Sequence, residues 1–162
     1  MSSKRSFVAR KRVAASHSPQ ALSRKPIVTA VCTALGLACS PHAGADSLIT
    51  TDGRTATTVT VAGNDYDITT ATISQNGRTG FNSFHDFSVD AADTVKLHLP
   101  EGTDSLVNLV WDSQAVINGR LDALLPDGAV GGKVFFADPH GVVIGGGAMV
   151  NVGALALSAP TH

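Results

Sequence analysis

Beyond residue 45 the chain has no cysteine: Cys32 and Cys39 both lie in its first 45 residues. An exported product made of the remainder therefore has no disulfide framework and rests on packing and hydrogen bonds alone. Bases are also scarce there. Arg54, Arg78, Lys96, Arg120 and Lys133 stand against all 13 acids of the chain, a net of −8. Such a surface opposes nucleic acid, which wants basic patches, and opposes anionic membranes. The uncharged run Ile27 to Cys39 falls short of the roughly 20 apolar residues that span a bilayer. No long stretch keeps a helical period, which argues against a helical or doubly wound fold. Gly145-Gly146-Gly147 has no following Lys-Ser/Thr pair, so it makes no phosphate loop.

What is present divides the chain in two. Residues 1–45 carry Lys4, Arg5, Arg10, Lys11, Arg12, Arg24 and Lys25 and no acid. Lys25-Pro26 leads into Ile27–Cys39, a length that suits the apolar middle of a secretory signal. Ala43 and Ala45 are small enough for the pocket of signal peptidase. The expected cut lies between Ala45 and Asp46, after export by the Sec machinery. This gives a signal over 1–45 and a mature domain over 46–162. An uncleaved anchor, an internal core helix and a lipoprotein cut before Cys39 are the competing readings. Gly36 stands where a lipoprotein signal usually carries leucine. The basic region is longer than ordinary export needs, and such extended signals occur on very large bacterial surface proteins.

The remainder reads as strands. Val59-Thr60-Val61 and Tyr66-Asp67-Ile68-Thr69 flank the turn pair Gly63-Asn64, which predicts a hairpin. Val95-Lys96-Leu97-His98-Leu99 alternates, with Val95, Leu97 and Leu99 inward, and Pro100 ends it. From Leu106 the pattern becomes short apolar bursts: Leu106–Val110, Ala115–Ile117, Lys133–Ala137, Val142–Ile144, Met149–Val152 and Leu155–Leu157. Turn residues part them, among them Asn118-Gly119, Pro126-Asp127-Gly128 and Asp138-Pro139-His140-Gly141. Loops this short leave no room for crossover helices. They suit an all-β, coiling parallel solenoid. Val107, Val134 and Leu155 mark a loose repeat. Asn108, Asn118 and Asn151 recur after apolar residues, where corner asparagines can satisfy backbone amides, unless the recurrence is accidental. Gly141 to Ser158 is almost wholly apolar or small. The expectation is a solenoid interrupted mid-coil, the first piece of something larger.

These residues resemble the two-partner secretion domains of filamentous haemagglutinin-like adhesins, haemolysins and contact-dependent toxins. Asn82-Ser83-Phe84-His85-Asp86-Phe87-Ser88-Val89 is similar to the family's early "N-x-F-x-x-F-x-V" stretch. Leu106–Val110 and Ile117–Leu121 resemble its following strands. Phe135-Phe136-Ala137-Asp138-Pro139-His140-Gly141-Val142 resembles its "N-P-N-G-I" segment, and Gly147–Leu155 the strand after it. Asp138 and His140 depart from the family's asparagines, while Pro139 and Gly141 keep the turn.

The resemblance implies a right-handed parallel β-helix with N-terminal capping strands. It also implies recognition by periplasmic domains of an outer-membrane β-barrel transporter, passage of the chain unfolded, and growth of the helix outside a Gram-negative cell. Candidate partner-recognition residues are Asn82, Phe84, Asn108, Asp138, Pro139, His140, Gly141 and Asn151. Extended segments such as Val95–Leu99 are candidates to add to an edge of the transporter. Host-cell contact belongs to a downstream region. No enzyme, cofactor or metal site is expected: His85-Asp86 and Asp138-Pro139-His140 lack regular ligand spacing. Asp122 and Asp127 are read as solvated acids. Phe81, Phe84 and Phe87 serve either as a packed cap or as a docking surface. Trp111 is expected half-buried at a corner. Two alternatives remain: a self-contained module binding a glycan or host protein, and a β-helical carbohydrate-active enzyme.

Overall fold

Frequent β-branched residues and turn chemistry every few positions favour strands, and strands are what form. The computed structural model describes residues 46–160; the expected signal and its cleavage at Ala45 lie outside the described residues. Along these residues run β1 (Leu48–Thr51), β2 (Thr57–Ala62), β3 (Asp65–Thr70), β4 (Thr79–Val89), β5 (Thr94–His98) and β6 (Ser105–Val110). Then come β7 (Ala115–Ile117), β8 (Arg120–Leu124), β9 (Lys133–Ala137), β10 (Val142–Ile144), β11 (Met149–Asn151) and β12 (Ala154–Ser158).

The strands stack in three parallel ladders. One is β3, β5, β8 and β11. The second starts on the first half of β4 and continues through β6, β9 and β12. The third starts on the end of β4 and continues through β7 and β10. Each coil visits the ladders in turn, which is a parallel β-solenoid. Two antiparallel strands close its N-terminal end: β2 pairs with β3, and β1 pairs with β4.

The core is the inside of the coils. Tyr66, Val95 and Leu121 stack in register on one wall, and Ile68, Leu97 and Ala123 lie buried beside them. Phe84, Phe87 and Phe136 meet edge to face, at 5.2 and 5.1 Å between ring centres. Such pairs add about 0.5–1.5 kcal/mol each beyond burial. The predicted hairpin and the strand ending at Pro100 form, and each later burst lies on a strand.

Three expectations change. Val134 aligns with Leu106, not Val107, and the ladder is Gly80, Leu106, Val134 and Leu155. Because side chains alternate, that one-residue offset turns Val107 outward and buries Leu106. The segment after Asn118-Gly119, quoted only for its resemblance, is β8, with Leu121, Asp122 and Ala123 buried. Asp122 is therefore not a solvated acid: Arg120 Nε donates to it at 2.8 Å and Asn151 Nδ2 at 2.7 Å. Finally, β5 is paired on both sides, so strand addition through Val95–Leu99 is open only to an unfolded chain.

Candidate functional site

Three features gather the candidate residues, beginning with a buried polar ladder. Asn82 and Asn108 are mutual partners in the β4–β6 register and both are fully buried. Asn82 Nδ2 donates to Asn108 Oδ1 at 2.9 Å, and Asn108 Nδ2 donates to the Phe135 carbonyl at 3.3 Å. Thr57 Oγ1, on the capping strand β2, donates to Asn82 Oδ1 at 3.0 Å. One line of bonds thus ties the cap to three successive coils. These asparagines sit mid-strand, not at corners, because each amide spans the step between coils. Strict alternation would put Phe84 and Phe87 on opposite faces. Both are buried because β4 bends where it leaves β6 for β7, and the β1 register slips between Thr50 and Thr51. Phe81 faces outward, half-buried, so the packed reading holds for two of the three rings.

The second feature is the Asp138 turn. Gly141 N–H closes it onto the Asp138 carbonyl at 3.0 Å. Pro139 supplies the second position and Gly141 the fourth, with φ +89°, where a Cβ is strained. The fully buried Asp138 carboxylate accepts from Ala115 N–H at 2.6 Å and from His140 N–H at 2.7 Å. An asparagine has a single acceptor oxygen on its amide and would meet one of these two donors with its own NH₂. The acid here holds its own turn and the start of β7 one coil earlier. Asn151, by contrast, lies partly buried on β11 and serves Asp122.

The third feature, the anchoring of the cap, was not anticipated. Ser47 donates through N–H (3.2 Å) and Oγ (2.5 Å) to Asp93. Thr50 Oγ1 donates to Asp86 at 2.8 Å, and Ser83 Oγ donates to Asp52 at 2.5 Å. Trp111 Nε1 donates to Ser83 Oγ at 3.0 Å, and the Arg54 guanidinium lies 4.6 Å above its ring. Trp111 sits half-buried just past β6, as expected. Bonds from Ser113 and Thr50 hold the Asp86 carboxyl below its ordinary pKa. For Asp52, burial pushes upward, but the Ser83 hydroxyl and the Arg54 N–H outweigh it, and the net direction is down. No sequence pattern announces these side-chain bonds between distant residues, whose partners stand 28 to 46 residues apart.

The histidines join the scaffold. His85 meets Asp112 at 2.7 Å rather than its neighbour Asp86, His98 meets Asp67 at 2.7 Å, and His140 lies 3.4 Å from Asp138. Asp127 caps the Ala129 amide in an exposed turn, separate from the Asp122 network. Asp46 is exposed where the described residues begin.

No curated protein and no solved structure matches the chain. The family model described as "TPS secretion domain" matches residues 47–161. Its span takes in the cap, the asparagine ladder and the Asp138 turn, and the parallel solenoid is the expected fold. The chain belongs to the family of two-partner secretion domains, a non-catalytic family that implies an outer-membrane two-partner transporter as partner.

Proposed function

We propose that residues 46–162 guide a two-partner exoprotein through its outer-membrane transporter and then nucleate β-helix folding outside the cell. Sec and signal peptidase act first, on residues 1–45. The chain crosses the pore unfolded, and the free energy of folding outside biases it outward without nucleotide. The observation that carries this reading is the polarity of the solenoid. Antiparallel strands close the N-terminal end, while β10, β11 and β12 lie, among the described residues, at the outer ends of the parallel ladders, in the register a further coil would use. A seed built this way propagates in one direction, and the bond line from Thr57 to Phe135 fixes the first coils. Asn82, Phe84, Asn108, Asp138, Pro139, His140, Gly141 and Asn151 act through this folded seed. Host-cell contact falls to regions downstream, on a secreted or surface-bound product of a Gram-negative cell.

The test is secretion. Residues 1–162 are expressed with and without a two-partner transporter, and the medium is assayed by N-terminal sequencing. Transporter-dependent release beginning at Asp46 is the expected result. A processed chain retained in the periplasm with every transporter tried would refute it.

A further inference from the structure

The chain has one Asp-Pro bond, Asp138–Pro139, in the turn between β9 and β10. The two residues there that depart from the family's asparagines, Asp138 and His140, are the two that carry acid–base chemistry. Three groups converge on the bond. Asp138 is fully buried, and its Oδ1 accepts from the His140 N–H at 2.7 Å, which folds the carboxylate back across Pro139. Gly141 N–H donates to the Asp138 carbonyl oxygen at 3.0 Å and so polarises the carbonyl of the bond itself. His140 Nδ1 stands 3.4 Å from Asp138 Oδ1, on a half-exposed side chain. Holding the turn needs only N–H donors on the carboxylate, and His140 and Ala115 already supply two. The imidazole adds a proton donor, and proline adds a tertiary amide that leaves as a secondary amine.

We infer that Asp138–Pro139 is a self-cleavage site, at which the chain cuts its own backbone once and acts on no other molecule. Asp138 Oδ2 leaves the Ala115 N–H and attacks the Asp138 carbonyl carbon, closing a cyclic anhydride. The Gly141 N–H holds the charge that develops on the carbonyl oxygen. As the C–N bond breaks, its electron pair goes to the Pro139 nitrogen, which takes the proton of the His140 imidazolium. Water then opens the anhydride to two carboxylates on Asp138, and its two protons go to His140 and to the new Pro139 amine. The balance is one water consumed, a new C-terminus at Asp138 and a new N-terminus at Pro139.

The stacked coils both assemble this site and restrain it. The restraint is the Ala115 N–H, which reaches the carboxylate at 2.6 Å from the start of β7, one coil earlier. Among the described residues, His140 is the one basic side chain paired with Asp138. The segments packed on the turn bring uncharged partners. Gln114 Nε2 donates to the His140 carbonyl at 3.0 Å, and the Ser158 carbonyl accepts from the Asp138 N–H at 3.0 Å. The proton that the reaction needs is therefore the imidazole's, and mild acid charges an imidazole. The cut falls between β9 and β10, while β10 stays paired with β7, β11 with β8 and β12 with β9. After it, β10 to β12 are held to the earlier coils by ladder pairing alone.

The test follows the intact mass of the purified full chain over time. At about pH 5 the chain should break at one place, into products that end at Asp138 and begin at Pro139, at a rate independent of protein concentration. The rate should fall at least about tenfold at about pH 8. It should fall as far at about pH 5 in urea, where the sequence is unchanged but the turn is gone. His140→Gln keeps the N–H of the turn and loses the proton donor, so cleavage should slow at least about tenfold. Pro139→Ala restores an ordinary secondary amide and should stop it. Melting temperatures show whether both variants fold, and the comparison with urea decides on the wild type alone. A chain that stays whole at about pH 5 overturns the inference. So does one that breaks as fast in urea, since the lability is then that of any Asp-Pro pair. Wild-type rates in folded His140→Gln overturn it as well.

Discussion

Asn108→Ala should destabilise the domain by about 2–4 kcal/mol. The side chain is fully buried and holds both of its neighbours in the ladder. Removing it leaves the Asn82 amide without its acceptor, at about 1–3 kcal/mol for a buried unpaired donor. The space left behind adds a packing loss. For a domain of this size the melting temperature should fall by about 10 °C. Urea unfolding followed by Trp111 fluorescence measures the change, since Trp111 is the chain's only tryptophan and is bonded to Ser83 beside Asn82. A double-mutant cycle isolates the ladder. Asn82→Leu and Asn108→Leu should each cost as much as an unpaired partner, while the double variant should cost less than the sum, because neither asparagine amide is left facing an apolar partner across the coils. The expected coupling is at least about 1 kcal/mol. An Asn108→Ala cost below about 0.5 kcal/mol, or strictly additive single variants, would show that these amides do not bond as the geometry requires.

Acid should loosen the cap. The Asp52 and Asp86 carboxyls have folded pKa values below their ordinary ones, so they contribute stability at neutral pH that is lost as pH falls through those lowered values. Trp111 fluorescence should therefore change below about pH 4, and Asp86→Asn should flatten that dependence; an unaltered profile would refute the assignment. Gly119→Ala should cost at least about 1–3 kcal/mol by urea titration, because a Cβ there drives into the backbone carbonyls of Asp90 and Asp93 in the preceding coil. Asp138→Asn should cost about 1–3 kcal/mol, since one of the two N–H donors on this buried carboxylate loses its acceptor; a melt equal to wild type would show that the turn tolerates either residue. Asn151→Ala should cost about 0.5–1.5 kcal/mol, less than Asn108→Ala, because Asp122 keeps Arg120 as a partner.

What the sequence determined is local. Turn residues and two-residue alternation placed the Gly63-Asn64 hairpin, the strand ending at Pro100 and the later bursts, because turn chemistry and side-chain period act within a few residues. The absence of cysteine beyond residue 45, the charge division and the ordered motifs pointed to an exported solenoid for the same reason: each is visible without knowing which residues touch. The tertiary structure decided what depends on register and on distant partners. It set Val134 against Leu106 instead of Val107, a difference of one residue that alternation alone leaves open until coils are stacked. It moved Asn108 from an expected corner to a buried mid-strand ladder and buried Asp122 between Arg120 and Asn151. It tied Ser47, Thr50 and Asp52 to groups more than 30 positions away. A parallel solenoid makes its decisive contacts between coils, and those are long-range by construction.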